Sequence, residues 1–252
     1  ANRSSPSQVG SLTDWWKIAS GGTHTLALKT DGSLWGWGLN TSGQLGLGPT
    51  AGQWAPVFNY SDVAAVSAGQ DVVMFKKTDG SLWVWGLGSN GLMGNSATTN
   101  QTSPIQIGAA AYQDFSLGYS SLLVRTDGSL WALGNNTYGT LGDSTVVNKS
   151  SPVQVGVLTD WSKVSSNGFG VSAAIKTDGS LWTWGYNSLG NLGAAKGGWN
   201  MLGTSTDWLS LAQGGLGKHC LAKKTDGTIW AWGDNTNYYI STVGTTYNRI
   251  SP

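Results

Sequence analysis

The chain contains no glutamate; all 13 acidic residues among its 252 are aspartates. Histidine appears twice and cysteine once, so the side chains that usually perform acid–base, nucleophilic or metal chemistry are nearly missing. The lone Cys220 excludes an intrachain disulfide and a cysteine-ligated zinc site. The longest apolar runs, such as residues 72–75, fall far below the roughly 20 residues of a membrane-spanning helix, so a soluble chain without membrane insertion is expected. It starts at Ala1 with no charged-then-apolar leader, and a targeting segment is expected to be absent or already removed. Charged residues make up 11% and balance to a formal +1, which argues against a nucleic-acid partner held through phosphates.

What is abundant is glycine (38) and tryptophan (15), with many Thr, Ser and Asn. Strong helix formers are scarce, which predicts an all-β fold. The string Thr-Asp-Gly-Ser-Leu-Trp-x-Trp-Gly runs over residues 30–38 and 78–86 and returns, with small changes, at 126–134, 177–185 and 225–233. Its aspartates Asp31, Asp79, Asp127, Asp178 and Asp226 mark five repeat units, approximately 6–55, 56–103, 104–151, 152–198 and 199–252, of a single domain over 1–252. Asp-Gly between alternating apolar runs predicts a hairpin with a two-residue type I′ turn. Counting the strands upstream, with one opened by proline at a sheet edge, gives four per unit. That is the blade of a β-propeller.

A second signature, Asn-x-x-Gly-x-Leu-Gly, follows each tryptophan strand. It is complete at Asn40, Gly43, Leu45, Gly46, at Asn136, Gly139, Leu141, Gly142 and at Asn187, Gly190, Leu192, Gly193. The second unit keeps Gly91, Met93 and Gly94, while the fifth degenerates to Asn235, Tyr238, Ile240, Ser241. Together with Gly21, His24, Ala27 and Leu28, these strings make the chain resemble the regulator of chromosome condensation repeat family over nearly its whole length. The resemblance implies a β-propeller, commonly of more blades than the five units present. Founding members of that family exchange nucleotide on a small Ras-like GTPase and dock on chromatin. Those roles depend on residues outside the repeat, and no position here carries them over.

The termini match in kind. Residues 4–10 read like residues 150–156, and the chain stops at Ser251-Pro252, where another such strand would begin. The N-terminal strand at residues 6–9 is therefore expected to complete the fifth blade and close a five-bladed ring.

The chemistry left over is thin. Ten aspartates recur with the repeat, five in the turns and five (Asp14, Asp62, Asp114, Asp160, Asp207) ahead of the inner strand, leaving Asp71, Asp143 and Asp234. His24 and His219 occupy equivalent positions where the other units carry Val72, Ser120 and Val171, and Cys220 points away from His219. Glycine-rich stretches lack the phosphate-loop spacing. The per-repeat Lys29, Lys77, Arg125, Lys176 and Lys224 read as solvated hairpin ends, and six Asn-x-Ser/Thr sequons, from Asn2 to Asn148, read as turns. No catalytic, cofactor-binding or metal-binding residue is assigned, and no enzyme activity or cofactor is expected.

The composition favours a structural or adhesive propeller, a virion surface or tail component or a bacterial surface protein, placed outside the cell or on a virion. Its partner would be a protein or larger assembly, with surface glycans as a second class. The alternative is a cytoplasmic protein-interaction scaffold or GTPase exchange-factor-like module, followed by a carbohydrate-binding propeller. Aromatics beyond the repeat consensus, Trp54, Trp199, Tyr238 and Tyr239, are the candidate partner-binding residues.

Overall fold

A computed structural model describes residues 5–194, 198–213 and 219–235. These form five antiparallel sheets in chain order. The first holds β1 (Trp15–Ser20), β2 (His24–Lys29), β3 (Leu34–Gly38) and β4 (Gln53–Tyr60), and the second β5 (Val63–Ala68), β6 (Val72–Lys77), β7 (Leu82–Gly86) and β8 (Gln101–Gln106). The third holds β9 (Tyr112–Leu117), β10 (Ser120–Arg125), β11 (Leu130–Gly134) and β12 (Lys149–Gln154), and the fourth β13 (Trp161–Ser166), β14 (Val171–Lys176), β15 (Leu181–Gly185) and the short β16 (Asn200–Met201). The fifth has three strands among the described residues, β17 (Trp208–Gln213), β18 (His219–Lys224) and β19 (Ile229–Gly233). Five blades of a propeller are thus present. No helix of the described residues is long and apolar enough to cross a membrane.

The Asp-Gly hairpins form where expected but with a different turn. Gly32 N donates to Lys29 O and Lys29 N to Ser33 O, so the loop holds three residues, Thr30, Asp31 and Gly32. Only Gly32 has a positive φ (82°), whereas a type I′ turn needs two such residues. This is a turn followed by a glycine bulge, and the aspartate decides it: Asp31 Oδ1 accepts from Ser33 N at 2.8 Å, and Ser33 Oγ accepts from Trp35 Nε1 at 3.0 Å. The same relay recurs through Asp79, Asp127, Asp178 and Asp226 to Trp83, Trp131, Trp182 and Trp230. Each Thr-Asp-Gly-Ser-Leu-Trp string therefore encodes one self-bonded corner.

The proline-opened strand joins the sheet before it. β4, with Pro56, pairs with β3; β8, with Pro104, with β7; and β12, with Pro152, with β11. In each case proline lies in the sheet's outermost strand, where a missing N–H is tolerated.

Apolar cores lie between neighbouring blades. Leu26, Leu28 and Leu34 of the first face Val63, Val66, Val73, Phe75 and Trp85 of the second, and three comparable clusters join the second to third, third to fourth and fourth to fifth. A closed ring of five needs a fifth interface, and the structure corrects that expectation. Leu34, Leu82, Leu130 and Leu181 are fully buried, but Ile229, at the same place in blade five, is 73% exposed. Val66 and Val164 are buried, but their counterpart Ile18 on blade one is also 73% exposed. Residues 6–9 lie in no strand and are exposed, so they do not complete the fifth blade. The described blades form an open arc.

Candidate interaction surfaces

Topology sorts the loops. In each sheet the turn between the first two strands and the exit from the third lie at one end, while the Asp-Gly corners lie at the other. The inner strand ends Ser20, Ala68, Leu117 and Ser166 surround a central cavity of about 690 Å³, lined by glycines, neutral polar residues and a few apolar ones such as Leu87 and Leu92, with Asp71 as its charged member. Tyr119, beside the cavity, begins an aromatic ladder across blades three and four. Tyr119 and Tyr138 stack at 6.2 Å, Tyr138 meets Tyr186 at 4.7 Å, and Tyr186 meets Phe169 at 5.5 Å. Tyr138 is 46% exposed. The ladder rests on two inner turns and two exit loops, and a Cβ at Gly170 would come within 3.1 Å of Tyr138. Sequence reasoning missed it, although the signal was there: Ser42 and Asn90 hold the place of Tyr138 in the first two units, as Leu39 and Leu87 hold that of Tyr186.

The four expected partner-binding residues fare differently. Trp54, in β4, is entirely exposed. Trp199 lies flat on Trp184 at 4.0 Å and donates Nε1 to Gly142 O at 3.2 Å, with its remaining third or so open to solvent. It walls a second cavity of about 350 Å³ with Trp161, Trp182, Lys176 and Asp143. The structure brings Trp199 together with three blade tryptophans rather than with Trp54. Tyr238 and Tyr239 lie outside the described residues.

The basic residue of each repeat is not a solvated hairpin end. Lys29 is buried with its ammonium 5.3 Å from the Trp15 ring centre, 4.8 Å from that of Trp35, and 3.3 Å from Asp14. Lys176 sits likewise between Trp161 and Trp182 against Asp160, and Lys224 between Trp208 and Trp230 against Asp207. Lys77 and Arg125 cover Trp83 and Trp131. A cation enclosed by ring faces and a carboxylate is a structural clamp, which accounts for three of the aspartates ahead of the inner strands.

Ser33 donates twice to Asp31 and holds its carboxyl below the ordinary range, and Asp79, Asp127, Asp178 and Asp226 are lowered in the same way. Acids held ionised at exposed turns are poor proton donors. Burial lowers the His24 pKa to about 4 against a smaller opposing pull from Asp71, and neither ring nitrogen has a hydrogen-bond partner. Cys220 is buried, its thiol donating to Asn191 O at 3.5 Å. Among the described residues no group of three or more His, Cys, Asp or Glu could hold a metal. The sequon residue Asn40 is a buried brace, donating to Gly48 O and Thr50 O and accepting from Leu45 N.

The Regulator of chromosome condensation (RCC1) repeat matches residues 31–75 and 127–171, and a second description of the same repeat matches 17–44. Human WBSCR16 superposes on 94% of the chain with a TM-score of 0.81 at 20% identity. The chain is a β-propeller that carries RCC1 repeats over residues 17–75 and 127–171. Yeast RCC1 (Prp20), in a complex with Kap60, superposes with a TM-score of 0.76 at 20% identity, again over 94% of this chain. This RCC1-repeat chain covers 66% and 63% of those two structures. In sequence it is 49% identical over 41 residues to the ultraviolet-B receptor UVR8 of Arabidopsis thaliana, 16% of this chain and 9% of that protein. It is 33% identical over 76 residues to the probable E3 ubiquitin-protein ligase HERC3 of Homo sapiens, 28% of this chain and 7% of that protein. The chain thus spans a small part of each curated relative's length.

Proposed function

We propose that this chain is a protein-interaction propeller, a scaffold or exchange-factor-like module, that receives a partner protein at the loop end of its arc. The observation that carries this reading is the Tyr119–Tyr138–Tyr186–Phe169 ladder at the mouth of the central cavity. Tyrosines combine large apolar area with a polar tip and few rotors, which suits them to anchor protein interfaces. Trp54, wholly exposed near the same end of blade one, is a second proposed contact, while Trp199 contributes only its free edge. Similar folds engage proteins: one comparison structure is yeast RCC1 bound to Kap60, and another concerns Prp20p of Saccharomyces cerevisiae and its binding to Gsp1p and histones. The virion and bacterial-surface readings rest on composition alone; none of the relatives and structures named above supports them, nor an extracellular or glycan-binding role.

Site-specific photocrosslinking tests the proposal. A benzophenone side chain at Tyr138 should trap a discrete protein partner in cells of the source organism, one at Trp54 the same partner more weakly, and one at Val157, an exposed residue away from the ladder, none. Equal capture at Val157 and Tyr138 would overturn it.

A further inference from the structure

One latch recurs at three of the four blade interfaces, the interface between blades two and three having Leu133 where the others have tryptophan. Trp85 Nε1 donates to Gln44 O of the preceding blade at 2.8 Å, Trp184 Nε1 to Thr140 O at 2.9 Å, and Trp232 Nε1 to Asn191 O at 2.9 Å. Glycines let the loop reach the ring. Gly46, Gly142 and Gly193 all have positive φ, and a Cβ would come within 2.9 Å of Trp85, 2.9 Å of Trp184 and 3.0 Å of Trp232 respectively. Gly43 passes so close to β8 that its Cβ would stand 2.7 Å from the Thr102 Cα.

Blade one has the receiving half of this latch with nothing in it. Trp37 holds the position of Trp85, Trp184 and Trp232; they are fully buried, it is partly exposed, and no described residue offers its indole an acceptor. On the same blade Ile18 is exposed and Trp15 half-buried, where their counterparts Val66 and Val63 are buried. Residues 5–10 repeat residues 151–156 except for Ser7 in place of Val153. The latter run through β12, the outer strand of the blade before Trp161, whereas the former pair with no strand.

We propose that this face of blade one is a docking surface for a further blade of the same repeat type. Its exit loop would carry the two latch glycines and present a carbonyl to Trp37, and its third strand would take residues 5–9 as a fourth. The face continues the series of four interfaces already formed, so the occupant's chemistry is that of blades one to four. A second copy of this chain does not fit. Its fifth unit carries Tyr238 and Ser241 at the sequence positions where the latch has glycine, and an L-residue at a latch glycine would meet both the positive φ and the ring.

The test adds such a blade to the full chain by fusing a copy of residues 109–149 ahead of Ser4, so that residues 4–10 follow as residues 150–156 do. The exchange rate of the Trp37 indole proton should fall at least tenfold, to the range of Trp85. The same fusion with tyrosine and serine replacing the copied Gly139 and Gly142 should leave Trp37 exchange as in the parent. Unchanged Trp37 exchange in the first fusion, equal protection in the second, or loss of Trp85 protection in the first would each overturn the proposal. So would a parent chain that dimerises at micromolar concentration with Trp37 protected, since a second copy would then fill the face. Partner capture at Tyr138 is read separately, and either result can fail alone.

Discussion

Trp85 and Trp37 occupy one position of the repeat in neighbouring blades, yet one is sealed against the loop of the blade before it and the other is open. The difference teaches that the repeat encodes an interface rather than a blade. Units one, two, four and five carry a receiving indole, with Leu133 in its place in unit three, the loops of units one, three and four present a carbonyl to the next blade's indole, and burial comes from the neighbour. Ile229 against Leu82 repeats the contrast at the other end of the arc.

The sharpest way to break this comparison is to truncate both indoles. Trp85→Ala removes a buried ring and its hydrogen bond and should cost about 3–5 kcal/mol, while Trp37→Ala should cost about 1 kcal/mol or less, both read by urea denaturation. Equal losses would mean that the two positions share an environment.

A second expectation concerns His24, buried at the interface that blade one does form. Its pKa is about 4 folded and near 6.5 unfolded, so the unfolded chain binds the extra proton. Stability is therefore full above pH 6.5 and falls between 6.5 and 4, by about 3 kcal/mol. His24→Val, the residue found at positions 72 and 171, should remove that slope from a series of denaturation curves. The turn aspartates, lowered below the usual carboxylate value, add a further loss only as pH falls through that value and below it.

Smaller again is the contrast between Gly46 and Gly203. Both have positive φ, but a Cβ at Gly203 meets nothing within 4 Å whereas at Gly46 it meets the Trp85 ring. Alanine at either should cost about 1 kcal/mol for the backbone, with about 1–3 kcal/mol more at Gly46 for overpacking the latch. Calorimetric midpoints that fall equally would show that the ring yields. Smallest in stability is Tyr138→Ser, expected to change it by no more than about 0.5 kcal/mol while abolishing crosslinking from the neighbouring Tyr119 position.

The period of the Asp-Gly string made the five blades legible, because each corner is closed by residues adjacent in sequence. The turn type was not legible from Asp-Gly alone, since a side-chain bond from Asp31 to Ser33 selects the bulged loop. Closure failed for a related reason: residues 4–10 announce an outer strand, but not which blade receives it. Lys29 looked solvated because Trp15 and Trp35, which enclose it, come from two other strands. Trp199 and the tyrosine ladder both depart from the consensus, and only packing distinguishes a ring laid on Trp184 from one left at the surface.

The central claim, that an indole in this series is sealed only where a preceding blade presents its loop, is tested most directly by indole hydrogen exchange on the nitrogen-15-labelled chain. The Nε1 protons of Trp85, Trp184 and Trp232 should exchange slowly and together, on the timescale of global opening, while that of Trp37 exchanges orders of magnitude faster. A Trp37 proton as protected as that of Trp85 would show that the first blade has a neighbour after all, and would contradict the open arc.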